Sequence, residues 1–221
     1  MTTNKQCGHA SNPRIVVTSV SFGKSAILRK ELLRVFPNSA FNESGQQLSG
    51  KKLAEFIKGA DATIVGAETI DESILEHTPK LKIVSKYGVG LDNIDQDSLK
   101  HRGISLGWTG GVNRRSVSEL TLCFMLGLCR NVFGSGFKLK QSDWDKDGGH
   151  QLSDKTVGII GCGHIGADVS RLLSPFNCTL LVRDIVDKSD FCRKQGASIA
   201  SLEDVIEKAD IISLHVPLTE L

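Results

Sequence analysis

The chain has 221 residues, of which 40% are hydrophobic and 24% are charged. These fractions are typical of globular domains and exclude disordered and collagen-like classes. The 27 Lys and Arg residues nearly balance the 25 Asp and Glu residues, and the net charge of +2 argues against a nucleic-acid partner. No stretch approaches the roughly 20 apolar residues of a membrane span, and Met1 to Ser11 lack the apolar core of a signal peptide. We therefore expect a cytoplasmic protein with no membrane partner.

The cysteine spacing indicates neither a disulfide framework nor a metal site. The six cysteines form no C-x-x-C pair, and no histidine cluster completes a zinc-binding spacing. We therefore expect reduced thiols and no bound metal. The cysteines are Cys7, Cys123, Cys129, Cys162, Cys178 and Cys192.

Short apolar segments alternate with amphipathic helical segments from Arg14 to Leu106. This alternation, with short connections, predicts a parallel sheet covered by helices on both faces. Asp71 is placed to cap the third helix, because its carboxylate can accept from the free N–H groups of the first turn. The predicted strands are Arg14–Val20, Ala40–Asn42, Ala62–Val65, Lys82–Ser85 and Ile104–Leu106, and the predicted helices are Lys24–Phe36, Gly50–Ile57, Glu72–Glu76 and Gln96–His101.

The alternation of strands and helices is interrupted in the middle of the chain, from Trp108 to Gly149. Trp108–Asn113 contains two adjacent glycines and reads as a hinge. A helix follows, with Ser116 and Glu119 spaced as a capping box. The segment Leu120–Cys129 is apolar on nearly every face, which predicts a helix buried between domains or in a dimer interface. The polar, glycine-rich segment Phe133–Gly149 reads as an arm or linker.

A second α/β unit begins near Lys155. Its pattern again alternates short apolar strands with helices, which predicts a second parallel sheet. The predicted strands are Thr156–Ile160, Thr179–Arg183, Ser198–Ala200 and Ile211–Val216, and the predicted helices are His164–Leu173, Phe191–Lys194 and Leu202–Lys208.

A G-x-G-x-x-G motif follows the first of these strands and opens a helix. Each glycine has a separate physical role in a dinucleotide-binding turn. Gly161 permits the tight turn, Gly163 leaves room for a pyrophosphate, and Gly166 lets the helix pack closely on the strand. The N-terminus of the helix offers free N–H groups and a positive dipole to the phosphates. An ordinary glycine-rich turn without a ligand is the alternative.

Asp184 closes the next predicted strand, at the distance of about 20 residues that the motif requires. Its carboxylate can accept hydrogen bonds from the adenosine ribose hydroxyls, and its charge repels a 2′-phosphate, so we predict NAD rather than NADP as the cofactor. The adjacent Arg183 leaves NADP as an alternative cofactor. His164 at the mouth of the helix either contacts a phosphate or faces solvent. His215 ends the fourth strand, where a cofactor contact is favoured because ligands bind at the carboxyl ends of parallel strands.

Three blocks of residues together resemble the D-isomer-specific 2-hydroxyacid dehydrogenases, and most closely the phosphoglycerate dehydrogenases. The similarity runs from about Arg14 to the last residue. The blocks are Lys86–Asp95 (K-Y-G-V-G-L-D-N-I-D), Asn113–Glu119 (N-R-R-S-V-S-E), and Val157–Gly166 together with Asp184 and His215–Thr219.

The resemblance implies an α/β protein with a flavodoxin-like substrate domain and a doubly wound Rossmann NAD-binding domain whose last strands are missing. The implied divisions are 1–107 for the substrate domain, 108–150 for the hinge, long dimerisation helix and arm, and 151–221 for the NAD-binding domain. It also implies a homodimer built on the long helix and a reaction on the CH–OH group of a small D-2-hydroxy acid, with a 3-phosphoglycerate-like acid as the leading substrate.

The resemblance also assigns residues to the two ligands. Backbone N–H groups between Gly88 and Gly90 would hold the substrate carboxylate, since amides without bulky side chains can cradle an anion. Asp92 and Asp95 are expected to be turn and cap residues rather than catalytic acids. The implied substrate-binding residues are Lys86, Gly88, Val89, Gly90 and Asn113, and the implied cofactor-binding residues are Val117, Gly161, Gly163, His164, Ile165, Gly166, Asp184, His215, Val216 and Pro217.

One departure from the family is large. Family members orient the substrate with an Arg and use a Glu–His pair as proton donor, all downstream of the strand that ends here at His215. No residue of this chain matches them, so no catalytic residue is assigned. The fourth strand, Ile211–Val216, would be an uncovered apolar edge. We therefore expect the chain as given to be poorly stable and inactive alone.

Two other functions stay open. A non-catalytic, NAD-sensing interaction protein of the same fold would also lack the Arg, Glu and His. Another Rossmann enzyme, such as a methyltransferase or an adenosylhomocysteine hydrolase, would bind S-adenosyl compounds instead of NAD, although the Lys86–Asp95 block argues against it.

Overall fold

The structure is a computed structural model that describes residues 12–146 and 148–217. It divides into two compact units, residues 1–109 and 110–221. Both units consist of a parallel sheet with helices, so the predicted α/β class is confirmed.

The first unit is a five-stranded parallel sheet in the order β2-β1-β3-β4-β5. This order is the flavodoxin-like one, as predicted. Strand β3 lies in the centre and pairs with β1 and β4, with Val16 of β1 opposite Thr63. The strands are β1 (Ile15–Val17), β2 (Ser39–Phe41), β3 (Ala62–Val65), β4 (Ile83–Lys86) and β5 (Ser105–Gly107), and the helices are α1 (Val20–Lys24), α2 (Ala26–Val35), α3 (Gly50–Ile57), α4 (Glu72–Leu75) and α5 (Gln96–His101).

Apolar residues from the strands and helices form the core of this unit. Leu53 and Ile57 of α3 are fully buried, as are Val65 of β3 and Val84 of β4. Burying such side chains contributes about 1.5–3 kcal/mol each before the entropy of ordering is subtracted. The core therefore fixes the strand ends from which the loops discussed below project.

Helix caps explain where several helices begin. Asp71 accepts a hydrogen bond from the Ile74 N–H at 3.2 Å, and Asp95 accepts one from the Ser98 N–H at 2.9 Å, so both predicted cap roles are confirmed. The helix predicted at Lys24–Phe36 is confirmed as α2, which begins two residues later than predicted because Ser25 separates it from α1. The backbone of Ser25 is extended and its hydroxyl accepts from the Leu28 N–H.

The second unit is a four-stranded parallel sheet in the order β8-β7-β6-β9, which is the 3-2-1-4 order expected for a Rossmann domain. Strand β9 lies at the edge of this sheet, and Ile212 and Leu214 are 43% and 66% exposed. The strands are β6 (Thr156–Ile160), β7 (Thr179–Arg183), β8 (Ser198–Ile199) and β9 (Ile211–Leu214), and the helices are α6 (Arg114–Cys129), α7 (Val132–Lys140), α8 (His164–Leu173), α9 (Ser189–Gln195) and α10 (Leu202–Lys208).

Two predictions for the middle of the chain are wrong. The capping box at Ser116 and Glu119 does not form, because α6 begins earlier: the Asn113 carbonyl already accepts from the Val117 N–H at 3.1 Å. The predicted arm Phe133–Gly149 begins instead inside a helix, α7, whose Phe133 packs against the face of α6 that Gly127 leaves open. Tertiary packing of this kind overrides a glycine-rich composition.

One face of α6 packs against α8 and the opposite face is exposed. Leu120, Phe124 and Leu128 are 53%, 50% and 71% exposed in the single chain. Burial of these side chains would therefore require a second protein surface. Within residues 12–146 and 148–217, no single helix meets the length and hydropathy of a membrane span. Helices α6 and α7 meet them only as a pair, and that pair is bent by 69°.

Candidate functional site

The glycine motif forms the turn between β6 and α8. Gly161 has a φ of +91°, and its N–H donates to the Arg183 carbonyl at 2.8 Å. A Cβ at this position would lie 2.5 Å from the His215 carbonyl oxygen. Positive φ and close approach together require glycine here, as predicted for the first glycine of the motif.

Gly166 and Gly163 differ in what surrounds them. A Cβ at Gly166 would lie 2.1 Å from the Gly161 carbonyl oxygen, so the helix and the turn leave it no space. A Cβ at Gly163 would meet no atom of residues 12–146 and 148–217 within 4 Å, and the φ of −81° is one that any residue adopts. The packing of the protein therefore explains glycine at 166 but not at 163. The open space beside Gly163 lies at the N-terminus of α8, where an anionic ligand is favoured.

Asp184 follows β7 and faces this turn. Its Oδ2 accepts from the Cys162 N–H at 2.6 Å and its Oδ1 accepts from the Val186 N–H at 2.9 Å. Burial raises the pKa of this carboxyl, but these N–H donors and the Lys188 ammonium outweigh the burial and leave the pKa below its ordinary value. The group is ionised at neutral pH, and each oxygen keeps a lone pair for a further donor such as a hydroxyl.

The start of α6 lies along the glycine turn. Gly111 contacts the ring of His164, and the Ser118 hydroxyl lies 3.5 Å from the Ile165 carbonyl oxygen. Asn113 and Val117 lie on this same segment. The Oδ1 of Asn113 is buried and has no hydrogen-bond partner within the described residues, so it is an acceptor available to a ligand. His164 itself is exposed.

Gly111 is expected to be required for seating His164. It has a φ of +71°, and a Cβ would lie 2.6 Å from the His164 Cγ. Gly103 is a matched control, because its φ is +67° and a Cβ there meets nothing within 4 Å. We expect Gly111→Ala and Gly103→Ala each to cost about 1–2 kcal/mol of backbone strain. Only Gly111→Ala should also weaken NADH binding, by about fivefold. Urea unfolding and NADH titration of both variants measure this, and equal NADH affinity in the two would contradict it.

Strand β9 brings the last predicted cofactor residues to the same turn. The His215 N–H donates to the Ile160 carbonyl at 2.8 Å, and its Nε2 lies 3.0 Å from the Ser213 hydroxyl. Burial lowers the pKa of His215. Val216 and Pro217 are exposed beside it. The rest of the predicted block, Leu218 and Thr219, lies outside the described residues.

In the first unit, Gly88, Val89 and Gly90 form a loop at the carboxyl end of β4. In the part of the chain that the structure describes, no acceptor takes the N–H groups of these three residues. The Val89 carbonyl is anchored by the Trp108 indole N–H at 3.0 Å. The loop therefore presents consecutive unpaired N–H groups, the arrangement that binds carboxylates and phosphates.

The Lys86 ammonium is hydrogen-bonded to acceptors of the protein itself. Its Nζ donates to the Gly66 carbonyl at 2.6 Å and to the Asn93 Oδ1 at 2.5 Å. Burial lowers the pKa of Lys86, against the opposing charges of Asp92 and Glu68. Asn93, Glu68 and Trp108 were not assigned to the substrate loop by sequence reasoning, because no motif or periodicity marks contacts between separate loops.

Comparisons with known proteins match part of the chain to a family model and most of it to curated reductases and dehydrogenases. Residues 122–221 match the family described as D-isomer specific 2-hydroxyacid dehydrogenase, NAD binding domain. The chain is 33% identical over 179 residues to a glyoxylate reductase of Korarchaeum cryptofilum, covering 78% of this chain and 54% of the relative. It is 31% identical over 196 residues to a D-3-phosphoglycerate dehydrogenase of Methanocaldococcus jannaschii, covering 87% and 37%. The chain thus spans about half or less of these relatives.

A solved structure shows the same arrangement of elements. The D-lactate dehydrogenase of Aquifex aeolicus, in complex with NAD and lactic acid, superposes with a TM-score of 0.80 at 25% identity, over 93% of this chain and 61% of that one. The fold similarity therefore extends over both units of this chain, beyond the residues that the family model matches.

Proposed function

Because residues 122–221 match the NAD binding domain of the D-isomer specific 2-hydroxyacid dehydrogenases, we propose that the chain belongs to this family of NAD-dependent oxidoreductases and acts in the interconversion of a small D-2-hydroxy acid and its 2-oxo acid. The observation that supports this proposal most strongly is the open space beside Gly163. The packing of the protein does not require a glycine at this position, whereas an approaching phosphate would. A helix N-terminus with such a space, opposite an ionised Asp184, fits the diphosphate and ribose of a dinucleotide.

In this proposal, residues of the second unit hold the diphosphate, the adenosine ribose and the nicotinamide of NAD. The first turn of α8, with Gly163, His164 and Ile165, would hold the diphosphate through N–H groups, and Asp184 would accept from the ribose hydroxyls. Bound there, the nicotinamide accepts or donates a hydride. Asn113 and Val117 would border the ring, with His215, Val216 and Pro217 along the carboxyl end of β9. In this proposal the residues of the chain bind and orient, and none of them is the proton donor.

The substrate carboxylate would bind to the unpaired N–H groups of Gly88, Val89 and Gly90. Within the 2-hydroxy acids, the resemblance to phosphoglycerate dehydrogenases supports a 3-phosphoglycerate-like substrate, whereas the similarity to a glyoxylate reductase supports a smaller acid. The Lys86 ammonium already donates to two acceptors of the protein. This favours the smaller acid, because a phosphate would need a cation free to pair with it.

We also propose a homodimer in the cytoplasm. Exposed apolar residues of α6 and α7, among them Leu128 at 71% and Phe137 at 69%, support an interface between two chains. The five described cysteines are all free thiols, which supports a reducing compartment. Cys7 lies outside the described residues.

Titration with NADH, followed by addition of a 2-oxo acid, tests the proposed function. We expect saturable NADH binding by the chain, and shifts of the Gly88–Gly90 amide resonances when glyoxylate or 3-phosphohydroxypyruvate is added. A folded chain that binds no NADH would contradict the proposal. NADH binding without any response to a 2-oxo acid, together with a protein partner whose affinity depends on NADH, would favour the NAD-sensing alternative.

A further inference from the structure

Two side chains, those of Lys86 and Asn93, form a hydrogen-bond network beside the Gly88–Gly90 loop. The Lys86 Nζ joins the Gly66 carbonyl, at 2.6 Å, to the Asn93 Oδ1, at 2.5 Å. The Asn93 Nδ2 in turn donates to the Gly66 carbonyl at 3.2 Å and to the Glu68 carbonyl at 2.5 Å. Lys86 precedes the loop and Asn93 follows it, so both ends of the loop are tied to the same segment, residues 66–68.

The acceptor segment is itself fixed. Glu68 is 2% exposed, and its Oε2 accepts from the Gly66 N–H at 2.6 Å. A Cβ at Gly66 would lie 2.9 Å from the Ser19 Oγ, so this segment also packs closely on the end of β1. The carboxylates of Glu68 and Asp92 favour the charged form of Lys86, against its burial. The positive charge of Lys86 is therefore balanced by carboxylates of the protein itself.

A second set of hydrogen bonds fixes the segment after the loop and the Val89 carbonyl within it. The Ile70 N–H donates to the Asn93 carbonyl and the Asp95 N–H donates to the Ile70 carbonyl, both at 2.8 Å. The Trp108 indole holds the Val89 carbonyl. These contacts use the Lys86 and Asn93 side chains and the Val89 carbonyl. Within the described ranges they leave the loop N–H groups without an acceptor, which is what a preformed anion site requires.

We propose that Lys86 and Asn93 are positioning residues that hold the Gly88–Gly90 loop with its N–H groups outward, and that Lys86 does not contact the substrate. The positioning is a property of the first unit itself, whereas its purpose, holding a substrate carboxylate, rests on the proposed function. The two can therefore fail separately.

Backbone order parameters from ¹⁵N relaxation test the positioning directly. In Lys86→Met, which keeps the length of the stem, the order parameters of Gly88, Val89 and Gly90 should fall from about 0.85 to below about 0.6. Asn93→Asp, which keeps the shape but loses the donated bonds, should have the same effect. Lys82→Met is the matched control, because the Lys82 side chain is 77% exposed and lies just before β4. Loop order unchanged in both Lys86→Met and Asn93→Asp would overturn the proposal.

Titration with oxamate and with oxalate separates positioning from direct contact. These probes carry one and two negative charges. If Lys86 only positions the loop, Lys86→Met should weaken both probes by a similar factor, about tenfold. A loss confined to oxalate would show that the ammonium contacts the ligand, and would overturn the proposal. If the wild-type chain binds neither probe, the carboxylate site of the proposed function fails, while the order parameters still decide whether Lys86 and Asn93 position the loop.

Discussion

Gly163→Ala is expected to weaken NADH binding by at least about tenfold while changing the free energy of unfolding by no more than about 0.5 kcal/mol. The structure gives the added methyl group open space and a negative φ of −81°, so the folded protein should tolerate it. The methyl group would, however, stand where the phosphates must approach the N–H groups of α8. NADH titration and urea unfolding of the same preparation measure the two effects.

Gly166→Ala is the matched control for this prediction, with the opposite outcome. Its Cβ would lie 2.1 Å from the Gly161 carbonyl oxygen and 3.0 Å from the Ile159 Cγ2, and the first of these is backbone that cannot rotate away. We expect a loss of about 3 kcal/mol in the free energy of unfolding, from overpacking between helix and strand. If Gly163→Ala destabilised the chain as much as Gly166→Ala, the assignment of Gly163 to ligand approach would be wrong.

Asp184→Asn is expected to weaken NADH binding by about thirtyfold, which corresponds to about 2 kcal/mol. The carboxylate accepts the Cys162 and Val186 N–H groups with both oxygens, whereas the amide offers one oxygen and one NH₂ group. The variant therefore loses a charged acceptor for the ribose and also loosens the glycine turn. Asp190→Asn, at a side chain that is 80% exposed, is the control for the change of charge alone.

The same substitution should change how stability depends on pH. The pKa of the Asp184 carboxyl is lowered in the folded chain, despite burial, by the N–H donors and Lys188. A lowered carboxyl pKa gives stability that is fully present above the unfolded value of about 3.9 and is lost as the pH falls through the folded value. Asp184→Asn should flatten the acid side of the curve of stability against pH. An unchanged acid side in Asp184→Asn would contradict the account.

The positions of the strands and the glycine turn were predictable from sequence because they depend on local pattern. The spacing of Gly161, Gly163 and Gly166 alone predicts the role of each glycine in the turn. Asp184 follows at the distance set by one β-α unit. The alternation of strands and helices predicted a parallel sheet in each unit, whereas the strand orders were expected from the resemblance to the family. These features repeat in any chain that folds as β-α units, so a single sequence shows them.

The contacts that complete the site were not predictable, because they join segments that no periodicity connects. The Gly111 contact with His164, the Trp108 bond to Val89, and the tie from Lys86 to Gly66 all depend on tertiary structure. Lys86 is an example of a residue whose contacts the sequence pattern did not predict. Its position before the loop suggested a charge for the substrate, while the structure places its ammonium on acceptors of the protein.

Errors at helix boundaries have a similar origin. Ser116 and Glu119 match the spacing of a capping box. The N-cap of α6 is however Asn113, so both residues already lie inside the helix. Helix α7 was missed because glycines at 134 and 136 lower helix propensity, while the packing of Phe133 on Gly127 that stabilises it is visible only in the fold.

The most direct test of the central claim is a titration of the ¹⁵N-labelled chain with NADH, observed at the backbone amides of the glycine turn. The account predicts saturable shifts at Gly163, His164 and Ile165, with an affinity that Asp184→Asn reduces. Saturable binding that leaves these three amides unmoved, or that Asp184→Asn does not weaken, would contradict it.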